Sequence, residues 1–284
     1  MVHSEESGAQ VGTSPADRID TSVPHPARRY NYWLGGKDNF QADRESGDAI
    51  AAAFPTIRLA ALENRGFLRR AVAYLTREAG IRQFLDIGTG IPTADNTHEV
   101  AQSIAPESRV VYVDNDPIVL AHARALLTSA PEGATAYIDA DLRDVDTILG
   151  HPDLRRTIDL DQPVALMLVA ILHFIHDRDD PYTIVDRLLD ALPVGSYLVA
   201  SHATDDYLPP QVAAAARESA NAEGQHGTII LRSRDEFVRF LDRPGLSMIE
   251  PGITSVAHWR AEHEPQPRPT AAEAGIYAAV VRKD

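Results

Sequence analysis

The stretch Phe84-Leu85-Asp86-Ile87-Gly88-Thr89-Gly90-Ile91-Pro92-Thr93 decides the fold. A short apolar run stops at a turn holding two glycines, and a helical pattern follows. Strand, turn and helix in that order open an α/β sheet. Upstream, Leu68, Ala71, Val72, Leu75 and Ala79 recur at helical spacing, which predicts a helix over 57–79 with Gly80 at its C-terminal cap. Downstream, the pattern predicts a helix over 93–105 stopped by Pro106, a strand over 109–113, and a helix opened by Pro117 and running to Leu127. A third strand covers 134–138. The apolar run 163–172 reads as a strand buried on both faces, followed by a helix over 181–192 and a strand over 196–201.

Such alternation predicts a mostly parallel sheet with helices on both faces. Beyond residue 201 the rhythm changes. Helices are expected over 211–222 and 235–241, then strands over 246–256 and 276–281, separated by a polar loop over 258–270 with three prolines. Two late strands joined directly predict an antiparallel hairpin at one edge. The whole is an α/β fold with an N-terminal addition: a tail over 1–19, an arm with helices over 20–79 that caps the site, and the sheet domain over 80–284. The segment Asp20 to Phe40 carries Arg28, Arg29, a cluster of aromatics and Gly35-Gly36, and is expected to pack as an ordered arm.

Composition narrows the function. The chain has 284 residues, 27 Lys plus Arg against 41 Asp plus Glu, and a net charge of −14. That balance argues against general binding to nucleic acid or to an anionic membrane. There is no cysteine, which excludes disulfides, thiolate metal sites and a cysteine nucleophile. The longest apolar run, Val164 to Leu172, falls far short of the ~20 residues that span a bilayer. A soluble cytoplasmic protein is the expectation. The histidines show no HxxxH or HExxH spacing, so no metal site is expected. Ser201-His202 lies outside any GxSxG elbow, which leaves a hydrolase triad unsupported.

The chemistry concentrates at the strand ends. Ligands of open α/β sheets bind beyond the carboxyl ends of the strands, and Gly88 and Gly90 let a backbone approach one closely. A dinucleotide fingerprint needs a third glycine where Thr93 stands. Pro92 also removes a donor where a pyrophosphate would sit, and Asp86 would face a dianion. An ammonium or sulfonium ligand suits Asp86 better. Asp114 closes the second strand, where a carboxylate accepts bonds from both hydroxyls of a ribose. Asp141 follows the third strand and suits an adenine amine, with Ala140 and Leu142 near the ring; Asp139 is the alternative.

LDIGTG, YVDND and DADLRD together resemble the glycine, ribose and adenine motifs of class I S-adenosylmethionine-dependent methyltransferases, over roughly residues 80–200. Pro92 departs from the pattern, standing where many members have a third glycine. The resemblance implies a Rossmann-like seven-stranded sheet with an antiparallel last strand and S-adenosyl-L-methionine as cofactor. PARRYNYWLGGKDNFQAD, ENRGFLRRAVAYL, GTGIPT, YVDNDP and HWR extend it over nearly the whole chain, to an actinobacterial family of S-adenosylmethionine methyltransferases with largely unassigned substrates. Cofactor contacts are then expected from Asp86, Gly88, Thr89, Gly90, Asp114, Asn115, Ala140, Asp141 and Leu142.

Three further residues are candidates. Tyr30 and Lys37 lie in the arm, which is either a lid over the cofactor or a structural clasp. Arg65, on the helix before the glycine strand, is either a fork for the methionine carboxylate or a solvated helix arginine; Arg69 and Arg70 are expected to be exposed. His173 follows the fourth strand and is either a general base or part of the pocket wall. The expected partner is a small-molecule methyl acceptor bearing oxygen or nitrogen. A non-catalytic module that senses the cofactor and a nicotinamide-dependent oxidoreductase are the alternatives.

Overall fold

The computed structural model describes residues 19–126, 129–221 and 229–284. The expectation of a tail therefore lies outside the described residues, apart from Ile19. So do Leu127 and Ala222, the last residues of two expected helices.

Three helices precede the sheet: α1 (Pro26–Trp33), α2 (Gln41–Ala53) and α3 (Ile57–Arg77). Alternation then begins with β1 (Gln83–Ile87), α4 (Thr97–Ile104), β2 (Arg109–Asp114), α5 (Pro117–Leu126) and β3 (Ala134–Asp139). It continues through α6 (Val145–Gly150), α7 (Pro152–Thr157), β4 (Ala165–Leu168), α8 (Pro181–Asp190) and β5 (Tyr197–Ala203). The last third holds α9 (Pro210–Asn221), α10 (Arg234–Val238), β6 (Leu246–Met248), β7 (Thr254–Ser255), α11 (Ala271–Ala274) and β8 (Ile276–Lys283). The strand order is β3-β2-β1-β4-β5-β8-β6, with β7 also paired to β8. The first five strands run parallel. β8 runs antiparallel to its neighbours β5, β6 and β7.

Alternation of side chains sorts the core into two layers. Leu85, Ile87, Val111, Val113, Leu166 and Leu198 pack with α6, α7, α8 and α10. Phe84, Val110, Tyr112, Met167 and Val199 pack on the other face with α3 and α4. The expected face of α3 is the buried one: Leu68, Ala71, Val72 and Leu75 are all in this second core. Trp259 is fully buried there, with Phe67 and Tyr74 set edge-on to it at 5.5 and 5.9 Å.

The structure shifts several expected boundaries, each for a local reason. The helix expected from Thr93 begins at Thr97. Asn96 is its cap, accepting from the Thr93 N–H at 3.1 Å, while Glu99 reaches back to the Asn96 N–H at 2.8 Å. The run 163–172 yields only a four-residue strand, because Ala170 turns to φ +58° and donates its N–H to Ser201 Oγ at 2.9 Å. The expected strand 246–256 is split into β6 and β7 at Pro251 and Gly252, where Gly252 has φ +83°. Proline lacks the N–H that a ladder needs. The sheet therefore counts eight strands instead of seven.

Candidate functional site

The carboxyl ends of β1, β2 and β3 lie side by side, and hydrogen bonds tie their tips together. After β1 the backbone folds over: the Gly88 N–H donates to Val113 O at 2.8 Å, and the Thr89 N–H reaches the same oxygen at 3.4 Å. The Gly90 N–H then donates to Asp114 Oδ2 at 2.8 Å. Gly88 and Gly90 both sit at positive φ, +76° and +68°, the conformation glycine adopts without cost. Their surroundings differ. A Cβ on Gly88 would strike the Ile171 side chain at 2.7 Å, whereas one on Gly90 would meet nothing within 4 Å. The first glycine is needed for close strand-to-loop packing. The second borders open space beside a carboxylate.

Asp114 is buried and held from both sides. Its Oδ1 accepts from the Asp116 N–H at 2.9 Å and its Oδ2 from Gly90. Burial raises its pKa, and these two amides work against the rise. A carboxylate has about four lone-pair sites, so two bonds leave capacity for a pair of hydroxyls. Asp86 faces the α3/α4 layer and accepts from Thr97 Oγ1 at 2.6 Å. Burial pushes its pKa up to about 6; the Thr97 bond and the Arg65 charge oppose the shift, and the Asp114 charge adds to it. Asp86, Asp114 and the glycine turn thus share one electrostatic environment. Tyr112 OH accepts the His98 N–H at 2.8 Å and anchors the start of α4 beside them.

The third tip is joined to the second by the Asn115 Nδ2 bond to Asp141 Oδ2 at 2.9 Å. Arg143 also forks onto both Asp141 oxygens, at 3.1 and 2.9 Å, and reaches Asp179 at 3.1 Å. Asp141 is therefore already paired within the fold. Ala140 and Leu142 are buried in the first core layer. Thr89 is half-buried in the glycine turn.

Arg65 spends its guanidinium on the Ala94 and Asp95 carbonyls, at 2.9 and 3.0 Å. It bridges α3 to the loop between the glycine turn and α4. A cleft of about 610 Å³ opens there, between Gly35, Leu62, Arg65, Pro92 and Asp95. Arg70, expected to be exposed, has a side chain only 8% exposed and bonds the Trp259 and Val256 carbonyls at 2.8 and 2.5 Å. Tyr30 is clamped between α1 and α3, donating to Ala61 O at 2.9 Å and accepting from Asn64 Nδ2 at 3.1 Å; burial raises its pKa. Lys37 is exposed at the arm's turn.

His173 is buried, with Nδ1 unpartnered, and its ring lies 5.7 Å from that of His202. Burial and the adjacent Arg232 charge push its pKa down to about 3. A ring that holds a proton this weakly is a poor acceptor near neutrality, which weighs toward the pocket-wall alternative over the general base. Arg232 is itself almost fully buried. It bonds Leu172 O, Ile175 O, Asp177 Oδ1 and His202 Nε2 at 3.2, 2.9, 2.6 and 2.9 Å. Sequence reading missed it, and missed Thr97, His25, Arg28 and Asp116. Nothing local marks Arg232, whose partners lie 30 to 60 residues away. Asp116 sat in view within the DND triplet.

An open sheet with an antiparallel strand inserted beside β5, a glycine turn after β1 and an acid closing β2 is a Rossmann-like architecture whose ligands bind at the carboxyl ends of the strands. The chain belongs to the S-adenosyl methyltransferase family, whose model matches residues 12–284. It is an S-adenosylmethionine-dependent methyltransferase, which sets aside the nicotinamide oxidoreductase. A DUF574-family protein from Streptomyces avermitilis is 48% identical over 94% of this chain and 100% of that one, with a TM-score of 0.86. A Thermobifida fusca protein, provisionally termed a methyltransferase, is 42% identical over 93% and 97%, with a TM-score of 0.83. Mitomycin 7-O-methyltransferase MmcR shares the fold at 15% identity and a TM-score of 0.50, over 96% of this chain and 76% of that one. No functionally curated protein matches. Among the described residues, no helix is long and apolar enough to cross a membrane, and no group of three acids or histidines could hold a metal ion.

Proposed function

We propose that the protein methylates an oxygen or nitrogen of a small molecule at the shared carboxyl edge of β1, β2 and β4. S-adenosylmethionine, when bound, supplies a methyl group made electrophilic by its sulfonium. Gly88, Thr89 and Gly90 would offer backbone to the methionine portion, and Asp86 would face its ammonium. Asp114 would take the ribose hydroxyls. Asn115 and Asp141 would border the adenine, with Ala140 and Leu142 supporting the loop from the core side. Arg65 acts by fixing the loop 94–95, and Tyr30 by fixing α1 on α3. The arm forms a wall on this side; Lys37 lies at its rim.

The observation that carries this reading is the doubly held Asp114 carboxylate next to the open space at Gly90. Neutral His173 serves as wall. The chain's contribution to rate is then alignment and exclusion of water, and well-oriented reactions gain roughly 7–11 kcal/mol. The acidic surface fits a small acceptor better than a nucleic acid. Asp114→Ala tests the assignment: it is expected to stay folded by circular dichroism and to lose calorimetric binding of S-adenosylhomocysteine. Wild-type affinity in that variant would remove the ribose role.

A further inference from the structure

Asp116 lies two residues beyond Asp114 and is almost fully buried. Its N–H orients the Asp114 carboxylate at 2.9 Å, and its own Oδ1 accepts from the Ile118 N–H at 2.9 Å. The remaining oxygen, Oδ2, points at the N-terminal arm. There His25 Nδ1 stands at 2.9 Å and Arg28 Nε at 3.4 Å. The same Nδ1 lies 3.3 Å from the Ala27 N–H. Both contacts to Asp116 rest on distance, since neither Asp116 Oδ2 nor Arg28 Nε has a hydrogen bond of good geometry.

Both arm residues are themselves pinned. Asp43, fully buried on α2, accepts from the His25 N–H and the Phe40 N–H, each at 2.8 Å, and lies 3.7 Å from Arg28 Nε. Arg28 also donates to the Asp20 and Val23 carbonyls at 3.1 and 3.2 Å. Around this polar knot Ile19, Ala27 and Phe40 of the arm pack on Ile91, Ile118 and Val119, which flank the glycine and ribose turns. A second tie, His122 Nε2 to Asp38 at 3.1 Å, joins α5 to the arm's turn.

A generic clasp would not need to reach the turn that aims the ribose acid. We infer that His25 and Arg28 are cofactor-positioning residues: by gripping Asp116 they fix the turn whose amide orients Asp114, which couples docking of the arm to binding of the adenosyl group. This rests on the assignment of Asp114 to the ribose. Coupling is reciprocal, so S-adenosylhomocysteine should also protect amides of residues 20–45 from hydrogen exchange.

Calorimetric titration of the full chain with S-adenosylhomocysteine tests the coupling. His25→Ala and Arg28→Lys, both folded by circular dichroism, are expected to bind about tenfold more weakly. Tyr32→Phe, which removes an arm bond to Asp48 well away from Asp116, is expected to bind as wild type. Added to Asp116→Asn, His25→Ala should cost nothing more. Unchanged affinity in His25→Ala and Arg28→Lys overturns the inference, and so does an equal loss in Tyr32→Phe, which would make the effect a general loosening. Should Arg28→Lys fail to fold, the more exposed His25 carries the test alone. Asp114→Ala in the same series separates the failures. If it binds normally, the ribose assignment falls and takes the coupling with it. If it loses binding while the arm variants keep theirs, only the coupling falls.

Discussion

Asp86 offers a test that needs no methyl acceptor. Its carboxyl rises from an ordinary 3.8 to about 6 because burial strips water from the charge, and one threonine hydroxyl does not replace it. Between those values the folded chain binds a proton that the unfolded chain has released. Stability therefore falls as pH rises through this window, the reverse of a salt-bridged acid. At about 1.4 kcal/mol per tenfold change, the ionised group costs the free protein about 3 kcal/mol at pH 7, and about 1 kcal/mol of that is recovered at pH 5. Asp86→Asn carries no charge to desolvate. Its amide nitrogen forfeits some of the gain if left unpartnered, about 1–3 kcal/mol, but that term does not vary with pH. Guanidinium unfolding of both proteins at pH 5, 6 and 7 reads the difference directly. The wild type is expected to gain about 1 kcal/mol relative to the variant on going from pH 7 to 5. Parallel pH dependences would refute the reasoning. Saturating S-adenosylhomocysteine, by placing an ammonium near the group, should flatten the wild-type dependence.

Two other substitutions probe the frame around the site. Arg232→Met removes four bonds and leaves His202 Nε2 and two carbonyls without their shared donor, while the mostly exposed Asp177 turns to water; a loss of about 1–3 kcal/mol is expected in denaturant unfolding. Gly88→Ala and Gly90→Ala both force alanine to positive φ, at about 1–2 kcal/mol each. Only the first also drives a Cβ into Ile171. Gly88→Ala should therefore melt clearly below Gly90→Ala, and equal melting temperatures would contradict the packing described.

Much of the fold was legible because it is written in local pattern. Strand-turn-helix alternation, the face of α3, Pro117 opening α5 and the glycine turn each depend on residues within a few positions of one another. Periodicity and turn chemistry report such neighbours faithfully. The acids closing the strands were legible for the same reason: a parallel sheet brings consecutive strand ends to one edge. One boundary error was local and one was not. Asn96 and Glu99 formed a capping box four residues later than the pattern suggested, and Ala170 ended β4 by borrowing a hydroxyl from the neighbouring strand.

What tertiary structure alone decided is who meets whom across long separations. Arg232 reaches the turn after β4, His25 and Arg28 reach Asp116, and Arg70 reaches the Trp259 carbonyl. No spacing rule encodes these meetings, since each depends on how separately formed elements dock. The protonation of His173 and Asp86 belongs to the same level. A side chain's type sets its ordinary pKa, but the water removed from it and the charges left beside it are known only once the chain has closed around it.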